Sequence, residues 1–201
     1  MKLLVLADIH GHLDRLPVIE ASMAVCEGIV IAGDITDFDG PERARFVLEK
    51  LSAYEKPLFA VPGNCDLPGV NQSLADFGAG VHGVGQSLGE FTFVGVGGSL
   101  PCPGATPNES DENEFRGLLQ RAVDSVDSTE NLVLVTHQPA WGTQLDLAGA
   151  DRHTGSRAVR EFIEQYQPIL AVSGHMHDAY GVDQLDKTTL INPGPFRRGR
   201  Y

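Results

Sequence analysis

Residues 58–66 read "LFAVPGNCD". The four apolar residues Leu58 to Val61 have the length and unbroken hydrophobicity of a strand buried on both faces. The chain then turns polar at once, through Pro62 and Gly63 into Asn64, Cys65 and Asp66. A turn accounts for a glycine followed by an asparagine. It leaves a thiol beside a carboxylate unexplained, so these side chains need something to face.

The same arrangement recurs along the chain. The run 2–7 (KLLVLA) ends in Asp8 and His10, and the run 29–32 (IVIA) ends in Gly33, Asp34 and Asp37. The run 132–136 (LVLVT) ends in His137, and 169–173 (ILAVS) ends in Gly174, His175, Met176 and His177. Further strands are expected at 91–96 and 188–191, with helices over about 13–26, 41–53, 112–126 and 155–166. This alternation predicts an α/β fold of two packed sheets flanked by helices. Short links near Gly181 and Asp186 suggest antiparallel hairpins in the second sheet. The segment 97–113, rich in Gly, Pro and Ser, reads as a long loop of the kind that is often functional or mobile. "GVGGS" (95–99) and "GVGQSLG" (83–89) read as turns, because neither opens a helix as a dinucleotide fingerprint would.

In open α/β sheets, ligands bind beyond the carboxyl ends of the strands. One aspartate after a strand is ordinarily a cap or turn residue. Five strand ends that each deliver a carboxylate, carboxamide or imidazole to one edge point instead to a metal site. The set is Asp8, His10, Asp34, Asn64, His137, His175 and His177. Mixed imidazole and oxygen donors suit transition metals better than calcium or magnesium. Seven ligands exceed one tetrahedral zinc and fit two ions that share a carboxylate. Two such ions, ~3.5–4 Å apart, hold a bridging hydroxide for in-line attack on phosphorus.

In order, "DIH", "GDITD", "GNCD", "THQP" and "GHMH" resemble the signature of the calcineurin-like metallophosphoesterases, from residue 8 to residue 177. "THQPAWGTQLD", "HTGSRAVREFI" and "NPGPFRRG" are similar to the small phosphodiesterase-like branch of archaea and bacteria. The resemblance implies a β-sandwich flanked by helices. It implies one metal on Asp8, His10, Asp34 and His177, and a second on Asp34, Asn64, His137 and His175, with Asp34 bridging. Manganese comes first among the metals, with iron, zinc, cobalt or nickel as alternatives. One position departs from the family pattern. Cys65 stands where a histidine usually protonates the leaving group, although similar small members also carry G-N-C-D. Asp66 keeps its family position, where it would orient that neighbour. His12 and His153 are the other imidazoles on plausible site loops that could supply the acid.

Composition narrows the rest. A chain of 201 residues, 42% hydrophobic and 21% charged, suits one globular domain, 1–201. No apolar run approaches the ~18 residues of a membrane span. Asp8 cuts the opening apolar run too short for a signal peptide, so a cytoplasmic protein is expected. The cysteines, Cys26, Cys65 and Cys102, are scattered singly, which argues against a disulfide framework or a thiolate zinc site. A net charge of −12 disfavours nucleic acid as a partner and a nuclease role, while four lysines against 27 acidic residues would suit high salt. The expected function is a binuclear phosphoesterase acting on a small phosphoester, diesters before monoesters, with Arg152, Arg157 and Arg197 as cations near the motifs. The rival is a catalytically weak interaction scaffold of the same fold. The oligomeric state, a homo-oligomer included, is open.

Overall fold

The computed structural model describes residues 1–201. Three strands, β1 (Leu3–Leu6), β2 (Gly28–Ala32) and β3 (Leu58–Val61), form a parallel sheet in that order. Six more form a second sheet: β4 (Gly85–Leu88), β5 (Phe91–Val96), β6 (Leu132–Thr136), β7 (Leu170–Val172), β8 (Gly181–Leu185) and β9 (Thr188–Asn192). Their spatial order is β4-β5-β6-β7-β9-β8. The inner pairs are parallel, and the outer pairs β4·β5 and β8·β9 are antiparallel. The hairpin near Asp186 is therefore present. The link before Gly181 makes no hairpin, because β7 pairs in parallel with β9 rather than with β8, and the second sheet is mixed.

The consecutive apolar residues of these strands have a simple cause. Successive side chains leave a strand on opposite faces. Ile29 and Ile31 of β2 pack with Ile19 and Met23 of α1 (Leu16–Val25) and Val47 and Leu48 of α2 (Pro41–Ser52). Val30 and Ala32 face the other way, onto Phe93, Val133 and Val135 of the second sheet. On that sheet Leu132 and Leu134 face Phe115 of α4 (Glu112–Asp124) and Phe162 of α5 (Arg157–Tyr166). The result is helix, sheet, sheet, helix. The rings of Phe59 and Phe93 stack at 3.8 Å between the two sheets.

Three elements have no counterpart in the sequence reading. The helix α3 (Val70–Asp76) has seven residues, too few to display a helical period. β4, in the segment read as a turn, and β8 are sheet edges with half-exposed, largely polar residues. Residues 97–111 form the expected loop, without helix or strand.

Candidate metal centre

The carboxyl ends of β1, β2 and β3 converge with those of β6 and β7, which belong to the other sheet. Backbone bonds stitch the exits together: the N–H groups of Asp8 and His10 donate to the carbonyls of Gly33 (3.1 Å) and Asp34 (2.8 Å). Four residues of the cluster take left-handed backbone conformations, with φ of 52° at Asp8, 49° at His10, 48° at Asp34 and 65° at His175. That region is costly for residues with a β-carbon, and such strain concentrates at functional sites. Gly33 is also left-handed (φ 83°). Gly63 is not, and its reason is contact: a β-carbon there would collide with the Asp34 carboxylate and backbone.

Asp34 lies at the centre. Its Oδ1 is 3.5 Å from His137 Nε2 and accepts from the Cys65 N–H at 2.8 Å, while its Oδ2 is 3.6 Å from His10 Nε2. Burial raises its pKa, but His137, His10 and the Cys65 amide outweigh it and hold the carboxyl well below the usual range. His137 donates Nδ1–H to the Ala32 carbonyl (2.8 Å), which turns Nε2 toward Asn64 Oδ1, also at 2.8 Å. Burial lowers the pKa of His137, and the Asp34 carboxylate more than reverses this, to about 9. His175 Nδ1 meets the same Asn64 oxygen at 2.8 Å, and its backbone N–H donates to Asp8 Oδ1 at 3.2 Å. Burial and His137 lower its pKa to about 4, so its ring is neutral. His177 Nε2 stands 3.3 Å from Asp8 Oδ1.

The structure thus brings all seven expected ligand residues into one cluster. Ligand atoms of Asp8, His10 and His177 lie within 4.8 Å of one another, as do those of Asp8, Asp34 and His137, and those of His10, Asp34 and Cys65. Three buried atoms here, Asp8 Oδ2 and both ring nitrogens of His10, have no hydrogen-bond partner. Buried polar groups left so are costly. A cluster of buried carboxylates and imidazoles with orphaned polar atoms fits divalent cations, which would meet both the negative charge and the open coordination.

Asp66 is fully buried and accepts four hydrogen bonds, from the N–H groups of Gly63 (2.7 Å), Ile35 (3.2 Å) and Thr36 (2.8 Å) and from Thr36 Oγ1 (2.7 Å). It ties the β3 exit to the β2 exit. Burial, with the nearby Asp34 charge, raises its pKa to about 6 against the pull of those donors. Cys65 is buried at the edge of the cluster, and burial together with Asp34 pushes its thiol up. His153 is not in the cluster. Its Nδ1 bonds Asp146 Oδ1 at 2.7 Å and its ring lies near Trp141, while its neighbours Arg152 and Thr154 face the other side. His12 is exposed beside Asp14. Arg197 Nη2 reaches within 3.5 Å of His177 Nδ1, whereas Arg157 lies over the Trp141 ring. Asn108 has no counterpart among the expected site residues. From the long loop it donates its side-chain amide to the Gly63 carbonyl (2.9 Å) and its backbone N–H to the Asn64 carbonyl (3.2 Å). Nothing in its local spacing marks it.

A family model for calcineurin-like phosphoesterases matches residues 1–179. The chain belongs to this family. An uncharacterized protein of Methanocaldococcus jannaschii is 32% identical over 97% of the chain and 88% of its own length. Among solved structures, one from Thermus thermophilus has a TM-score of 0.78 at 18% identity, covering 99% of this chain and 91% of that one. The phosphopantetheinyl hydrolase of Mycobacterium tuberculosis has a TM-score of 0.59 at 19% identity, covering 98% and 90%. An archaeal phosphodiesterase follows at 0.53 and 16%, covering 97% and 84%. At these identities the structures share the fold. Calcineurin-like phosphoesterases are metal-dependent, which agrees with the donor set around Asp34. No helix of this member is long and apolar enough to cross a membrane.

Proposed function

We propose that this chain, as one domain over residues 1–201, is a binuclear metal-dependent phosphodiesterase. Asp8, His10, Asp34 and His177 would hold one ion, and Asp34, Asn64, His137 and His175 the other. The observation that supports this is the set of orphaned buried donors and acceptors around Asp34. When bound, two divalent ions polarise a phosphoryl oxygen and make water a competent nucleophile near neutral pH. Manganese is the first choice, with iron, zinc, cobalt or nickel as alternatives. The setting is cytoplasmic, and the substrate is a small phosphoester.

The chain's own groups do the rest. The Ala32 carbonyl orients the His137 ring, and Asp8 holds the His175 backbone amide, so both rings are presented to the cluster. Arg197 and Arg152 are the cations beside His177 and His175. Basic side chains are few here, and a singly charged diester demands less positive charge than a doubly charged monoester. No imidazole occupies the position of Cys65, so leaving groups that depart without a proton should react best. An interaction scaffold would leave the unpartnered cluster without a purpose.

The test is turnover after chelation. Chelated protein should leave aryl phosphodiesters intact, and manganese should restore hydrolysis. Folded, metal-loaded protein that cleaves no phosphoester in a broad panel would remove the reading.

A further inference from the structure

Two cavities open beside the cluster and share a wall. One, of about 500 Å³, is lined on its far side by Leu100, Pro101 and Pro103 of the loop after β5. The other, of about 460 Å³, is lined by Leu147, Gly149, His177 and Asp178. Ala148, Arg152, His175 and Met176 belong to both. Each volume is large enough for a substituent of several heavy atoms. The first also presents Cys102, Gln138 and Thr154 and the second Leu147, so their characters differ in balance: the first exposes more apolar surface and the second more polar surface.

Arg152 is the one arginine or lysine lining either cavity. Its position is set by a small hairpin in which Leu147 bridges His153 and the Ala148 N–H donates to the Arg152 carbonyl at 2.8 Å. Alternation along an extended strand sends Arg152 and Thr154 to the cavities and His153 to the buried Asp146. The Arg152 guanidinium is exposed and, like that of Arg197, makes no ion pair with a carboxylate. A guanidinium left free beside two cavities is suited to bind a phosphoryl oxygen.

We propose that Arg152 marks the crossing of two substituent pockets, and that the substrate is an unsymmetrical phosphodiester with one apolar and one polar arm. The apolar arm lies against Leu100, Pro101 and Pro103, and the polar arm against Gly149 and Asp178. A monoester has one substituent and would leave one cavity to water. The inference rests on the phosphoesterase reading above. In the reaction a water oxygen bonds to phosphorus and one ester P–O bond breaks. The departing oxygen takes a proton from that water, giving a monoester and an alcohol.

The experiment compares 4-nitrophenyl phosphodiesters on manganese-loaded protein, with the second arm glyceryl or hexyl, alongside 4-nitrophenyl phosphate. The glyceryl diester should exceed both others at least tenfold in kcat/KM. Leu100→Gln should cut kcat/KM for both aryl diesters about fivefold. Arg152→Ala should raise KM at least tenfold with kcat within threefold, and Arg152→Lys should recover part of it. Calorimetry supplies a readout free of turnover. Phenyl(hydroxymethyl)phosphinate, whose arms are joined through carbon and cannot be hydrolysed, should bind at least tenfold more tightly than dimethylphosphinate, and less tightly to Arg152→Ala. A preference for the monoester, or arm changes worth less than threefold in both turnover and binding, would overturn the two-pocket assignment and leave the phosphoesterase reading standing. If no ester is cleaved, that reading falls, and the phosphinate titration alone decides for or against the pockets.

Discussion

Asp34 is the residue on which both halves of the cluster meet. His10 approaches one of its carboxylate oxygens and His137 the other. If both oxygens are needed, Asp34→Asn should lower the occupancy of two metals, whereas His10→Ala should chiefly lower one. Metal analysis of the purified variants distinguishes these, and a single metal lost in Asp34→Asn would contradict a bridging role. Cys65 contributes to this centre mainly through its backbone, since its N–H donates to Asp34 Oδ1 whatever the side chain. Cys65→Ala keeps that bond. We expect it to cost less than tenfold in rate, about 1.4 kcal/mol, with aryl and alkyl diesters affected alike. A hundredfold loss confined to alkyl diesters would identify the thiol as the acid. "GNCD" made Asn64 and Asp66 legible as site residues. It did not reveal that Asp66 answers four donors on two strand exits, because those donors lie up to 31 residues away.

At the scale of elements, the strand ends must be held in register for the cluster to exist. The Gly97 N–H, just past β5, donates to His82 Nδ1 at 2.8 Å, and His82 bridges Gly95. Gly97 has no room for a side chain, because a β-carbon would strike Pro62 at the exit of β3. His82 therefore holds the end of β5 against the loop that carries Asn64. Burial, with Arg121 adding to it, lowers its pKa from 6.5 to about 4. The sign follows from proton uptake. As pH falls from 6.5 toward 4 the unfolded chain takes up a proton that the native state refuses, so stability is complete above that window and declines through it. At pH 5 the loss from this one group should be about 2 kcal/mol. Urea denaturation at pH 7 and pH 5 checks this: His82→Asn should lose about 2 kcal/mol less than the parent between the two. Equal losses would remove His82 from the acid response. The strands buried on two faces were readable as apolar runs. β4, β8 and α3 were not, since edge position and short length erase the periodic signal.

Over the whole molecule the dominant fact is charge. At −12, self-repulsion opposes the compact state, and added salt screens it, with a Debye length of ~10 Å at 0.1 M falling to ~3 Å at 1 M. The melting midpoint should rise between low and molar salt; a flat or falling Tm across that range would reject the argument. The charge, the α/β layering and the seven residues of the cluster were all determined by the sequence alone. Each is a local property: a count, an apolar run, or a polar residue just past one. The tertiary structure decided what depends on separated segments lying side by side. It set the parallel order of β6, β7 and β9, which gathers His137 and His175 at one edge. It brought Asn108 from a Pro- and Gly-rich loop to brace the Gly63 and Asn64 carbonyls. It turned His153 onto Asp146 and Arg152 toward the cavities, a choice between neighbours that only the register of their hairpin makes. Periodicity says that a side chain must be buried or exposed; which oxygen it meets is set by packing between residues far apart in the chain.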